Sequence, residues 1–272
     1  ASGTALLRAD AGNIGQLGTV TASVLDVTAA AGSVVLGSNA NSVGTLRGGA
    51  QSGFTYGNAG GFVVDGLVVN AGNAQLSATA GTISQTGAIS ATALTVTATG
   101  GSVALTDATN QVATVGGSAG ADFAFTDADG FAVSGIGAGG SVTLRATTGA
   151  ITQTGAITAT VLDVAATGAG GSVALNNGGN ANGTVIGNAT GDFAYTAANG
   201  FVAGDIAAGP AGTITLGATN GSITQSGALS ARELVANANG VGGAVTLTDA
   251  ANSFQVVGGS ASGGFAYGGS NG

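Results

Sequence analysis

Gly101-Ser102-Val103-Ala104-Leu105 decides the fold, because the chain keeps returning to it. Its tail stands earlier as Ser33-Val34-Val35-Leu36 and later as Ser172-Val173-Ala174-Leu175 and Ala244-Val245-Thr246-Leu247. The leading glycines are Gly32, Gly101, Gly171 and Gly243, so the spacing is 101−32 = 69, then 171−101 = 70, then 243−171 = 72. A second marker keeps the same interval: Gly15-Gln16-Leu17-Gly18, Ser84-Gln85-Thr86-Gly87, Thr152-Gln153-Thr154-Gly155 and Thr224-Gln225-Ser226-Gly227. A third is an aromatic pair, Phe54/Tyr56, Phe123/Phe125, Phe193/Tyr195 and Phe265/Tyr267. A long internal repeat outranks any single-residue motif, since it implies a fold built by stacking copies.

Within one copy, residues 101–170, apolar residues alternate in short runs such as Val103-Ala104-Leu105, Val112-Ala113-Thr114-Val115, Val142-Thr143-Leu144 and Val161-Leu162-Asp163-Val164. Period-two runs bounded by Gly, Asn, Asp and Ser read as strands and turns. Their Val, Thr, Ile and Phe suit a half-buried pleated surface, and frequent Gly disfavours helix. About eight strands fall in each copy, at three per turn of a coil, which predicts a right-handed parallel β-helix with about three rungs of roughly 23 residues per super-repeat. Shorter rungs of about 17–20 residues, four per copy, are the other reading of the same pattern. At about 4.8 Å per rung, some twelve rungs would make a rod a little under 60 Å long. The expected organisation is one continuous body over 1–272, with super-repeats at 1–31 (partial), 32–100, 101–170, 171–242 and 243–272 (partial). Val103, Leu105, Val142 and Leu144 are expected inside, and Thr143, Thr215 and Thr246 outside. Gly139-Gly140, Gly170-Gly171 and Gly242-Gly243 are expected at corners.

Composition removes several functions. Gly makes up 54 of 272 residues but Pro only 1, without a three-residue period, which excludes collagen. Few charges and a positive mean hydropathy argue against disorder. No apolar run reaches the length of a membrane helix, so an integral membrane protein is not expected. The net charge of −8, with four Arg and no Lys, opposes nucleic-acid binding and attraction to an anionic membrane. Cys, His, Met and Trp are absent, which removes disulfides, thiolate chemistry and histidine–metal sites. No signal peptide opens the chain at Ala1, and neither end shows a capping helix, so a fragment of a longer chain is expected.

The acids are the main candidates for chemistry. Asp122, Asp127 and Asp129 crowd Asp122-Phe123-Ala124-Phe125-Thr126-Asp127-Ala128-Asp129-Gly130, and Asp-Ala-Asp-Gly resembles part of a calcium loop. The same stretch of the next copy keeps only Asp192, so turn acids are the plainer reading. Eleven Asp and one Glu could furnish a carboxylate pair for glycoside hydrolysis, but no Trp is present to stack on sugars. No catalytic residue and no cofactor is assigned. Arg8 and Arg145 each lie eight residues before a Gln marker, where the other copies have Ser77 and Gly217. Arg47 and Arg232 look isolated, and all four read as surface groups. Phe54, Tyr56, Phe62, Phe123, Phe125, Phe131, Phe193, Tyr195, Phe201, Phe265 and Tyr267 form a structural aromatic column that fills the core at one widened corner, or alternatively an exposed strip for a partner or glycan. Thr95-Val96-Thr97, Thr213-Ile214-Thr215 and Thr246-Leu247-Thr248 could form outward Thr ladders of the kind that bind ice, but they do not recur on every rung.

Phrases such as Gly149-Ala150-Ile151-Thr152-Gln153-Thr154-Gly155-Ala156-Ile157-Thr158 and Gly171-Ser172-Val173-Ala174-Leu175 cover nearly the whole chain. They resemble the shaft of filamentous-haemagglutinin-like exoproteins, large adhesins of two-partner secretion. The Asn-Pro-Asn motifs of that family's secretion domain are missing, so the resemblance is to the rod region. It implies a structural, non-enzymatic element outside a Gram-negative cell, acting in adhesion or biofilm contacts. Implied partners are the chain itself, end to end or laterally, and a cell-surface glycan or host receptor. A self-polymerising filament subunit is the alternative, and a polysaccharide-active or ice-binding β-helix the third reading.

Overall fold

A computed structural model describes residues 3–270. All regular elements among them are strands, 27 in number, and every pairing whose direction is resolved is parallel. The chain is a β-solenoid of about 13 turns, close to the twelve expected. It divides into two compact units, Ala1–Ala128 and Asp129–Gly272.

In the first unit two stacks of strands carry the coils. One runs through Thr4–Ala9, Thr21–Ala29, Ser42–Ala50, Phe62–Val69 and the first half of Ile83–Ala98. The other runs through Ile14–Gly15, Ser33–Leu36, Gly53–Asn58, Asn73–Ala78 and the second half of Ile83–Ala98. Alternation sets the faces: Leu25, Leu46 and Val64 are fully buried in register, as are Val27 and Leu67. Each such aliphatic side chain contributes roughly 1.5–3 kcal/mol by leaving water. Val103, Leu105, Val142 and Leu144 lie inside as expected, with Thr143, Thr215 and Thr246 turned outward.

The register fixes the coil. Val34 pairs with Phe54, Phe54 with Ala74, Ala74 with Leu94 and Leu94 with Val115. The first three steps are 20 and the fourth is 115−94 = 21. Elsewhere bulges shorten the step to 18, as at Thr45↔Val63, and insertions lengthen it to 23, as at Thr158↔Ala181. The commonest step, 20, is the upper end of the shorter coil length the sequence suggested, and the longest steps reach the 23 of the other.

Successive copies of the repeat do not stack on one another. Val103 occupies the place of Val34 in its copy, yet it belongs to the other stack, Phe62–Ile83–Val103–Phe123. It falls between Leu94, three coils beyond Val34, and Val115, four coils beyond. The second unit repeats this. Val173 heads the series Phe193, Ile214, Leu234 and Val257, and its counterpart Val245 falls between the last two, in the series Phe201–Ile223–Val245–Phe265. One repeat thus spans about three and a half coils, and alternate copies present the same strand on alternate stacks.

Two of the expected corners are tight turns. Gly170 and Gly242 both have φ of 72°, and the N–H groups of Gly171 and Gly243 bond back to Gly168 and Gly240.

Candidate functional site

The most regular arrangement of polar side chains lies inside the solenoid. After each Val-x-Leu strand the chain turns through Ser38–Asn41, Asp107–Asn110, Asn177–Asn180 or Asp249–Asn252. The first residue of each turn accepts the N–H two positions on, from Ala40, Thr109, Gly179 or Ala251. The last, always Asn, bonds its own N–H to the carbonyl of the first. Asp107 also accepts the Thr109 hydroxyl, and that bond, then the Thr109 N–H, holds its carboxyl below the usual range.

The turn delivers Asn41, Asn110, Asn180 and Asn252 into the interior, where none is exposed at all. There each meets the Gln marker of the preceding coil. Gln85 Nε2 donates to Asn110 Oδ1 at 2.6 Å, and Asn110 Nδ2 donates back to Gln85 Oε1 at 3.1 Å. Asn110 Oδ1 also accepts the Ile89 N–H, while Nδ2 reaches the carbonyls of Leu105 and, one coil onward, Thr126. Gln85 Oε1 accepts the Asp107 N–H. The same bonds recur for Gln16 with Asn41, Gln153 with Asn180 and Gln225 with Asn252. Their outer carbonyl partners are Gly57, Thr196 and Gly268. Each clasp therefore ties three successive coils. Burying primary amides is tolerable only when their donors and acceptors are used, as here.

The aromatic residues are core. Phe54, Tyr56, Phe123, Phe125, Phe193 and Tyr195 are at most 1% exposed, and Phe62, Phe131 and Phe201 nearly as buried. Phe265 is more exposed, and Tyr267 is intermediate. They are not one column: Phe54 lies in the stack of Val34, between Val34 and Ala74, and Phe123 lies in that of Val103, next to Val103. Contact is made within a copy, edge to face, Tyr56 with Phe62 at 5.1 Å and Tyr195 with Phe201 at 5.0 Å.

The phenols of Tyr56 and Tyr195 each have an amide partner, though not from the same position, whereas the Tyr267 hydroxyl is enclosed without one among the described residues. Tyr56 donates to Asn58 Oδ1, which also accepts the Val43 N–H, while Asn58 Nδ2 donates to the Val43 carbonyl. In the third copy Ala197 replaces Asn58, and Asn182 stands where Val43 was. Turned to satisfy all its neighbours, Asn182 donates to the Tyr195 oxygen and the Ile157 carbonyl and accepts the Ala159 N–H. Burial pushes both phenols well above the usual range.

The calcium candidate is not assembled. Asp127 takes the place of Asn58 in the second copy: it is buried, and its Oδ2 accepts the Val112 N–H. Asp129 accepts the Thr148 hydroxyl at the surface, and Asp122 is exposed ahead of its strand. Among the described residues no three acids are grouped so as to hold a metal ion. Arg47 is not isolated, as the sequence suggested, but lies between Asp26 at 3.1 Å and Asp65 at 3.8 Å. Arg232 likewise pairs with Glu233. Arg8 with Asp26 and Arg145 with Asp163 form one equivalent pair, at the same separation along the chain in both copies. The Thr segments do not build Thr ladders: their rows are Thr55–Gln75–Thr95 and Ser77–Thr97, while Thr213 pairs with Glu233, Thr215 with Val235 and Thr246 with Ala266.

Comparison with known proteins recovers the same repeat. Residues 51–118, 120–188 and 190–259 each match the family described as repeats of unknown function, DUF5649. The chain belongs to this family. The starts of the matched stretches are spaced 120−51 = 69 and 190−120 = 70, the interval of the Val-x-Leu phrase. No curated protein and no solved structure matches the chain.

In the sequence, Gln16, Gln85, Gln153 and Gln225 stand out as markers, but their partners do not. The available signal was an Asn five residues after the strand's Leu, in the pattern Leu36…Asn41, Leu105…Asn110, Leu175…Asn180 and Leu247…Asn252.

Proposed function

We propose that the chain is a shaft segment of a secreted adhesin on the surface of a Gram-negative bacterium, with a structural role and no catalytic step of its own. The observation that carries this reading is what the repeat keeps. The Gln–Asn clasp returns in all four copies, with its Asn fully buried, its Gln half-buried and their amides bonded to each other, whereas no exposed ionisable side chain does so. Selection for a ligand would hold outward groups constant; holding inward ones constant serves coil stacking. The likeness of the repeat phrases to filamentous-haemagglutinin-like shafts supports the extracellular setting. Contacts with a glycan or host receptor then belong to regions the shaft projects.

Electron microscopy of the purified chain, with an assay for sugar release from polysaccharides, tests this. Isolated short particles and no sugar release are expected. Unbranched fibres would replace the shaft with a self-polymerising subunit, and released sugars would contradict a purely structural role.

A further inference from the structure

We propose that the four Gln–Asn clasps are the points at which the solenoid resists tension, so that a stretched chain yields in steps of one repeat rather than coil by coil. The inference rests on the shaft reading for the source of the tension, but not for the size of the step. Pulling on the ends of a solenoid peels its terminal coil from the next. Between clasps, that coil is held by its parallel ladder and by apolar side chains, much alike from coil to coil. At a clasp the situation differs. Peeling from the carboxyl end first breaks the bond of Asn110 to Thr126 and then, together with the coil that carries Asn110, its bonds to Gln85 and Ile89. These bonds share one enclosed amide, and bonds in such an interior reinforce one another and fail together.

The other clasp of the first unit and both clasps of the second have the same construction. Their asparagines keep the repeat interval, spaced 110−41 = 69, 180−110 = 70 and 252−180 = 72. Once a clasp opens, the coils it joined come free together, and the stretch of little more than one coil before the next clasp, such as 126 to 153, has no comparable buried tie and follows them. Each event should release about 70 residues, roughly 230–250 Å of extended chain.

Single-molecule stretching of the full chain between terminal handles reads this directly. The expected trace shows pauses separated by one repeat's length of released chain. Asn110→Ala should fuse two neighbouring steps into one of twice that length. Gln85→Ala removes one arm and leaves the backbone bonds of Asn110, so it should lower the force of that step without moving it, and it carries the test if Asn110→Ala does not fold. Increments of a single coil, or a single rip without pauses in the unsubstituted chain, would overturn the proposal. So would steps of unchanged size and force in both variants. Repeat-sized steps in a chain that proved to be a filament subunit would leave this inference standing and remove only the shaft.

Discussion

Tyr56 and Tyr195 show what a narrow solenoid core demands of a single residue. Each ring fills space between aliphatic neighbours, and each hydroxyl then needs a partner that no water can supply. The chain finds one two residues on, at Asn58, or thirteen residues back, at Asn182. Burial raises both phenols, so the unfolded chain surrenders these protons first. Their contribution to stability is complete below the ordinary phenol pKa of about 10 and falls as pH rises above it. In an alkaline titration followed by phenolate absorbance, Tyr56 and Tyr195 should remain protonated at about pH 11 and ionise only as the strand signal is lost. Three phenolates appearing together near pH 10 with the fold intact would contradict their burial. The aromatic pairs and the Gln markers were legible because they recur at a fixed offset. Asn110 was not, because an Asn closing a four-residue turn looks like ordinary turn chemistry. Its burial comes from Gln85 before it and Thr126 after it, which only the coil register brings near.

At the scale of a strand, the informative positions are glycines in the middle of pleated segments. Gly117 lies inside Gln111–Ala119 with φ of 135°, and a Cβ there would sit 1.9 Å from the Val96 carbonyl oxygen on the coil below. Gly48 and Gly259 repeat this geometry against Val27 and Ala236. These residues let one coil press onto the next where the strand bends. Gly117→Ala should therefore destabilise the chain by roughly 3 kcal/mol or more, from backbone strain and the clash together. Gly18→Ala, in open space with an ordinary φ, should change the urea midpoint by the equivalent of no more than about 0.5 kcal/mol. Equal effects of the two would mean that coil contact at Gly117 is looser than the structure has it. From the sequence, such glycines are indistinguishable from corner glycines: both punctuate a period-two pattern, and only the neighbouring coil tells them apart. The ion pairs were hidden for the same reason. Asp26 and Arg47 lie on successive coils and meet only through the register of Thr21–Ala29 with Ser42–Ala50.

For the whole molecule, alternation and turn residues were enough to predict a parallel β-solenoid, because both report on local geometry. Coil length was not legible, since the visible repeat period is not a whole number of coils. Counting eight strands at three to a turn gives three rungs of about 23 residues, whereas the pairings give steps of 20 or 21, near the shorter reading, and about three and a half coils. Nothing physical forces a repeat to close on itself. Each coil offers two strands of similar pattern, so a copy can rest its Val-x-Leu strand on either stack, and here alternate copies use alternate stacks. Within each unit the two clasps therefore follow strands on different stacks and do not share one seam. The absence of Cys makes this arrangement directly measurable with paired spin labels. Labels at Val35→Cys and Thr95→Cys lie in one stack, three coils apart through Thr55 and Gln75, which places their Cα atoms about 14 Å apart at the usual strand spacing. Labels at Val35→Cys and Ala104→Cys occupy the same place in successive copies but face outward from different stacks. A clearly longer distance is expected for the second pair than for the first; a shorter distance between 35 and 104 would mean that the copies stack directly, and would contradict the alternation of stacks.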